Sequence, residues 1–462
     1  MFTRTNETRD QLFERFCHSY SFLFIVSILF LFGWYFESGV TLVVASVLSV
    51  LVPLLLSKDG EILGSILLIG LFTIPTFPFF DNVPWYIYTE IGIFVVALIA
   101  FLIKKIILKD VNMSIGSLGI GLISFAVVLL IATIVRNFTE LNKPSEYNSW
   151  GYLAYGMLAL MILVYFIFHM TSTSSNTDLI HKTFYMVSFI VLIECIYALI
   201  MSKLDGASHT TYEYTKWGSR NTVALVLEIC LPFLALIFSK NHYRVDTLIM
   251  ILLSYMFIIG ADSRGAMATS VLLVALLVFI LFRNIRHRRY VIGSTILGLT
   301  VLFVVCYYAV PEIRYGIDDW FNNGLNLSER DAIWDYAYSY SKNNPFVGGG
   351  IQALFDMFPI FWHWPHEGEI GIWLCHSTFF TIIAAGGWLA ILCYAYHLGE
   401  LFVTTYKAKF YARDVLLYFI LVGLLHGIVD NTFFNIIYML PYFWIFSFKD
   451  FEGIKFTKKI NQ

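Results

Sequence analysis

A chain of 462 residues that is 58% hydrophobic and only 13% charged, with a mean hydropathy of +0.73, does not have the make-up of a soluble domain. Soluble domains run at roughly 45–50% apolar and about 25% charged. The net charge of -2 gives no reason to expect a nucleic-acid partner. The six cysteines (Cys17, Cys195, Cys230, Cys306, Cys375 and Cys393) are scattered without a CxxC pair, which argues against a disulfide framework or a thiolate metal site.

In chain order, a polar start with Arg4, Arg9 and Arg15 leads straight into an apolar run long enough to cross a bilayer, so no cleavable signal is expected. Apolar runs then recur at 19–36, 39–56, 61–80, 84–103, 115–135, 149–170, 182–202, 221–239, 246–262, 265–282, 290–310, 375–397, 414–430 and 433–448. The expected fold class is all-α: a polytopic integral membrane bundle of about 12–14 transmembrane helices, one membrane domain over 1–462. Most of the 30 lysines and arginines fall on one side of this plan, most densely at Arg283–Arg289. The positive-inside rule then places both termini in the cytoplasm and the chain in the cell membrane.

Most connections between spans are short. The exception is a large extracytoplasmic loop, 311–374, rich in aromatic and charged residues. A long loop on a rigid scaffold is where function is expected. Within it, Ser328 to Ser341 reads as a helix with Ser328 as N-cap and Ile333, Trp334, Ala337 and Tyr338 on one face. Pro345 stops that helix, and Gly348, Gly349 and Gly350 permit a tight path or a close backbone approach.

Four cationic or titratable residues carry the candidate chemistry. Arg264 lies in the short break Gly260-Ala261-Asp262-Ser263-Arg264-Gly265, where it either pairs with Asp262 or clamps an anion. Arg220 opens the span beginning near 221, where the positive end of a helix dipole is a poor place for a structural cation; an interface anchor is the plain alternative. Arg330 begins the loop helix. His376 stands where the chain re-enters the membrane; it is either a hydrogen-bonded core histidine or a base, whose neutral, proton-accepting form neighbouring arginines favour. His363, His366 and His376 with Glu367 and Glu369 form a weaker metal-site alternative, opposed by Pro365 between the close pair. No cofactor or metal is expected.

Arginines bind phosphate oxygens bidentately and stabilise charge developing on a diphosphate leaving group, while a neutral base takes a proton from an acceptor hydroxyl. Trp334 and its neighbours stack on sugars or form an interfacial belt. The order Ser263-Arg264-Gly265, Arg330 to Trp334, Pro345 to Gly350 and His376, with Gly218-Ser219-Arg220-Asn221 before it, resembles the O-antigen ligase and O-antigen polymerase superfamily over about 217–400. Ser377 stands where that family usually carries asparagine.

The resemblance implies an enzyme that transfers or polymerises a glycan from undecaprenyl diphosphate, inverting and without metal, on the outer side of the cytoplasmic membrane. It implies His376 as base and Arg264, Arg330 and Arg220 on the diphosphate. Trp334, Gly348 and Gly350 are further loop contacts. The expected partners are the lipid-linked glycan donor, a glycan, lipid or polymer acceptor, and membrane lipid. A transporter or flippase of an anionic or lipid-linked substrate is the alternative.

Overall fold

The computed structural model describes residues 9–36, 38–57, 60–72, 85–108, 118–139, 162–171, 177–206, 220–240, 244–261, 263–283, 288–309, 330–350, 375–408 and 410–448, with a few single residues between them. Among these there is helix and no strand. In chain order the helices are α1 (Arg9–Cys17), α2 (Tyr20–Tyr35), α3 (Gly39–Leu56), α4 (Glu61–Leu71), α5 (Trp85–Ile107), α6 (Gly119–Thr139) and α7 (Ile162–Thr171). They continue as α8 (Thr177–Leu204), α9 (Arg220–Lys240), α10 (Val245–Gly260), α11 (Arg264–Phe282), α12 (Arg288–Ala309), α13 (Arg330–Asn343), α14 (Thr378–Lys407), α15 (Phe410–Val429) and α16 (Ile436–Phe446).

Among the described residues, six helices are long and apolar enough to cross a membrane; α1 and α2, bent by 47° at a short break, add a seventh as one span. The helices α4, α10 and α16 are apolar but shorter. An all-α polytopic membrane protein is what these lengths and compositions describe.

The distribution of residues around single helices makes the same point. On α3, Val44, Leu48, Leu51 and Leu55 face outward, while Ser46 and Ser49 face inward. In water that arrangement would be inside out. In lipid it is the stable one, because apolar side chains lose nothing against acyl chains and hydroxyls find partners only inside. Ser46 donates to the buried carboxyl of Glu90 on α5 (3.4 Å).

The chain divides into two compact units. The first comprises Met1–Ser114, Ile167–Ile317 and Ser447–Asp450; the second comprises Ile115–Phe166, Asp318–Phe446 and Phe451–Gln462.

In the first unit α9 is the central helix, its body buried from Val223 to Ser239 against α8, α10 and α11. Two contacts fix how α9 meets α11. Ser270 donates to the Glu228 carboxyl (2.9 Å), and Phe238 meets Phe282 edge-on at 6.3 Å. Both pairs advance together along the two chains, so α9 and α11 run parallel. A second group of polar contacts gathers at helix ends: Lys104 donates to the carbonyls of Leu54 and Ser57 (2.7 Å each), Lys182 to that of His18 (2.8 Å), and Ser57 to Glu14 (2.8 Å).

In the second unit α14 packs against α6, α13 and α15. It is a broken helix. Gly387 has φ 63° and ψ -162°, a backbone conformation that glycine adopts without a steric cost. The break exposes a carbonyl on one side and amide donors on the other, and the Pro345–Gly350 stretch of the loop satisfies both. Gly349 donates to the Ala384 carbonyl (2.8 Å), while Trp388 and Leu389 donate to the carbonyls of Pro345 (2.9 Å) and Phe346 (3.1 Å).

Candidate functional site

Arg330 is the first described residue of α13, and that helix runs two residues past the expected Ser341, ending at Asn343 before Pro345. Its buried stripe is Ile333, Ala337 and Ser341, with Trp334 partly covered. Tyr338 does not share that face: it is 42% exposed, and Lys342 sits over its ring at 4.8 Å. Burial follows the i, i+4, i+8 row, and an aromatic one position off the row finds solvent or lipid instead. Ser328, the expected cap, lies outside the described residues.

Trp334 fixes the loop helix to the head of α14. Its ring stacks on Phe380 (5.0 Å, 10°), and its Nε1 donates to the Cys375 carbonyl (2.9 Å). Arg330 donates to the carbonyl of Val429, the last residue of α15. A guanidinium at the C-terminus of a helix is placed favourably against the dipole and the orphan carbonyls there.

His376 adopts φ 46°, the one positive φ at a residue other than glycine among the described residues. Such a conformation costs a bulky residue about 1–3 kcal/mol and persists where the surroundings impose it. Here both neighbours are held. Cys375 donates to Thr381 Oγ1 (3.2 Å), and Ser377 donates to Asn431 Oδ1 (3.2 Å). Thr381 Oγ1 also donates to Asn431 Oδ1 (2.6 Å), and Thr378 donates to the Asp430 carbonyl (3.1 Å).

Asp430 is the residue that the sequence reading missed. Its Oδ1 accepts from the Asn431 amide (2.7 Å), and its Oδ2 lies 3.7 Å from His426 Nε2. Burial pushes the Asp430 carboxyl up, but His426, the Asn431 amide and His376 more than offset that, holding it below the usual carboxylate range. His376 in turn is pulled below the ordinary imidazole value, by burial first and by the nearby Arg330 charge as well, against the opposing pull of Asp430. A neutral imidazole beside an ionised carboxylate and a guanidinium can accept a proton at neutral pH. The signal in the sequence was Asp430-Asn431, polar residues at the junction of the last two apolar runs.

Gly348 and Gly350 both have positive φ, 62° and 63°. A Cβ on Gly348 would stand 2.6 Å from the Gly387 amide nitrogen and 2.7 Å from the Ala384 carbonyl oxygen. The need here is a close approach of two backbones, one of the two uses expected of these glycines.

In the first unit, Arg220 begins α9 and is exposed, and Arg264 begins α11 after Ser263. Because α9 and α11 run parallel and pack together, their first residues share one end of that unit. Asp262 and the side chain of Arg264 lie outside the described residues, as do His363, His366, Glu367 and Glu369. Thus Arg330, Trp334 and His376 come together with Asp430 in the second unit, and Arg220 and Arg264 share a helix-end level in the first.

The chain has no match among curated proteins. A family model described as O-antigen ligase matches residues 248–395. That stretch contains Arg264, Arg330, Trp334, Gly348, Gly350 and His376, and leaves Arg220 and Asp430 outside it. Over residues 248–395 the chain is similar to the O-antigen ligase family.

Proposed function

We propose that this protein transfers or polymerises a glycan carried on undecaprenyl diphosphate, at the outer side of the cytoplasmic membrane, with both termini in the cytoplasm. The observation that carries the reading is the convergence of His376, Arg330 and Asp430 at the head of α14. In this reaction an acceptor hydroxyl attacks the anomeric carbon from the face opposite the diphosphate. The carbon–oxygen bond to the diphosphate breaks, the lipid diphosphate leaves, and His376 takes the acceptor proton. Arg330, Arg264 and Arg220 are the residues proposed to bind diphosphate oxygens and stabilise the charge that develops there. Asp430 is a positioning residue. It acts on His376 through its charge and stabilises the imidazolium that forms, as the carboxylate behind a histidine base can. No metal or cofactor is invoked, because the cations of the site are arginines.

The pH profile is a sharp test, because the two charged neighbours act on His376 with opposite sign. A base must be unprotonated, so activity falls as pH drops through its pKa, and the acid limb of kcat/KM is expected below the unperturbed value of about 6.5. Arg330→Gln removes a lowering influence and is expected to move that limb to higher pH. Asp430→Asn removes a raising influence and moves it to lower pH. Profiles that shift together, or not at all, would remove His376 as the titrating base.

Arg264→Gln tests the phosphate assignment separately. Loss of one charge-assisted contact to the leaving group is expected to lower kcat by about 10²–10³-fold. A variant with wild-type turnover of lipid-linked donor would exclude Arg264 from the site.

A further inference from the structure

At the opposite ends of α9 and α11 from Arg220 and Arg264, the first unit gathers cations around one buried imidazole. His181, near the start of α8, is 6% exposed, and neither of its ring nitrogens has a hydrogen-bond partner among the described residues. Its ring lies 6.2 Å from that of Phe233, one turn outward from Phe184, which stacks on the same ring at 4.0 Å. So His181 sits where the aromatic core of α8 and α9 ends. Lys240 in the last turn of α9, Arg283 just after α11, and Lys182 all act on it electrostatically, in that order. Arg283 is itself buried.

Helix dipoles account for part of this. A cation at each C-terminus of α9 and α11 is favourable. Asp178 lies 3.6 Å from Lys240, and Asp246 is bonded to Arg244 and Tyr185, so some of the charge is offset. Dipoles do not account for a buried imidazole without a hydrogen-bond partner among the described residues, within the field of those cations. A buried polar group lacking a partner costs about 1–3 kcal/mol, and repulsion among the cations adds to that. An anion that accepts from the imidazole and from Lys240 and Arg283 would relieve both at once.

We propose that His181, Lys240 and Arg283 form a binding site for a phosphate oxyanion, separate from the residues assigned to transfer. At the end of membrane helices, a phosphate arrives either as the headgroup of an anionic lipid or as a free ion.

The test uses the full-length protein in nanodiscs, followed by thermal unfolding. Replacing a phosphate-free glycolipid with phosphatidylglycerol is expected to raise Tm by about 2–4 °C if a headgroup fills the site. Inorganic phosphate, against chloride at equal ionic strength, raises it in the glycolipid discs if the free ion does. In either case Lys240→Gln, whose side chain is partly exposed, and His181→Phe, which keeps a ring against Phe233, are each expected to weaken the apparent affinity about tenfold. Arg283→Gln should do the same, and Lys240→Gln stands as the decisive variant if the buried substitution prevents folding. A wild-type protein indifferent to both phosphate sources overturns the site, and so does a shift of unchanged size in Lys240→Gln and His181→Phe.

Discussion

His376→Asn is expected to leave the protein folded and able to bind its lipid-linked donor while lowering transfer by at least about 10²–10⁴-fold, the usual contribution of a positioned acid–base group. Asparagine is chosen because it tolerates the left-handed backbone that His376 adopts, whereas alanine there adds a steric cost to the chemical one. Accumulation of lipid-linked glycan in membranes, together with retained donor binding by the purified variant, would mark a chemical defect. Normal turnover by this variant would end the assignment of His376 as base and leave a transport reading of the same arginines standing.

Gly348→Ala is expected to have the largest effect on folding. The added methyl would stand 2.6 Å from one backbone atom and 2.7 Å from another, and neither belongs to a flexible side chain that can move aside. The residue also has φ 62°, which costs an alanine about 1–2 kcal/mol before any clash. Separating the loop from α14 would further leave the amides of Trp388 and Leu389 and the carbonyl of Ala384 without partners at the break. Each such group costs several kcal/mol in a low-dielectric setting. The measurement is the yield and Tm of detergent-purified protein. Wild-type stability with lost transfer would instead give Gly348 a direct part in substrate binding.

The helical class was legible because membrane helices announce themselves by length and composition, two properties that need no tertiary information. The runs at 39–56 and 265–282 match α3 and α11 to within a residue. The break in α14 was not legible. A run at 375–397 reads as one span, and Gly386-Gly387 inside it looks like the small-residue content common in membrane helices. Only the loop backbone lying against it makes the break affordable, and that partner is about 40 residues away in sequence. Tyr338 was misplaced for a related reason: apolar periodicity assigns an aromatic to a face without knowing which row the neighbouring helix covers.

The candidate site divides in the same way. His376 is singled out by its residue type at a span edge, and Arg330 and Trp334 by theirs in the long loop. Asp430 and Asn431 were missed because they act on the histidine from the end of another helix, and no local pattern marks a carboxylate as someone else's partner. Asn431 also bears on the departure noted at Ser377. Its side-chain oxygen accepts from the Ser377 amide, so an asparagine from α15's end holds the backbone next to the histidine.

The anchoring of Cys375 and Ser377 on either side of His376 has a consequence for how a proton would be handed on. With the main chain pinned at both flanks, the imidazole's position is a function of two side-chain torsions and little else. A base with so few degrees of freedom loses little entropy when it meets the acceptor hydroxyl, and needs no loop closure to be aimed. In the proposed reaction, the reorientation that accompanies proton uptake and release would be a rotation of one ring, on a timescale far shorter than the movement of glycan and lipid that would precede and follow it.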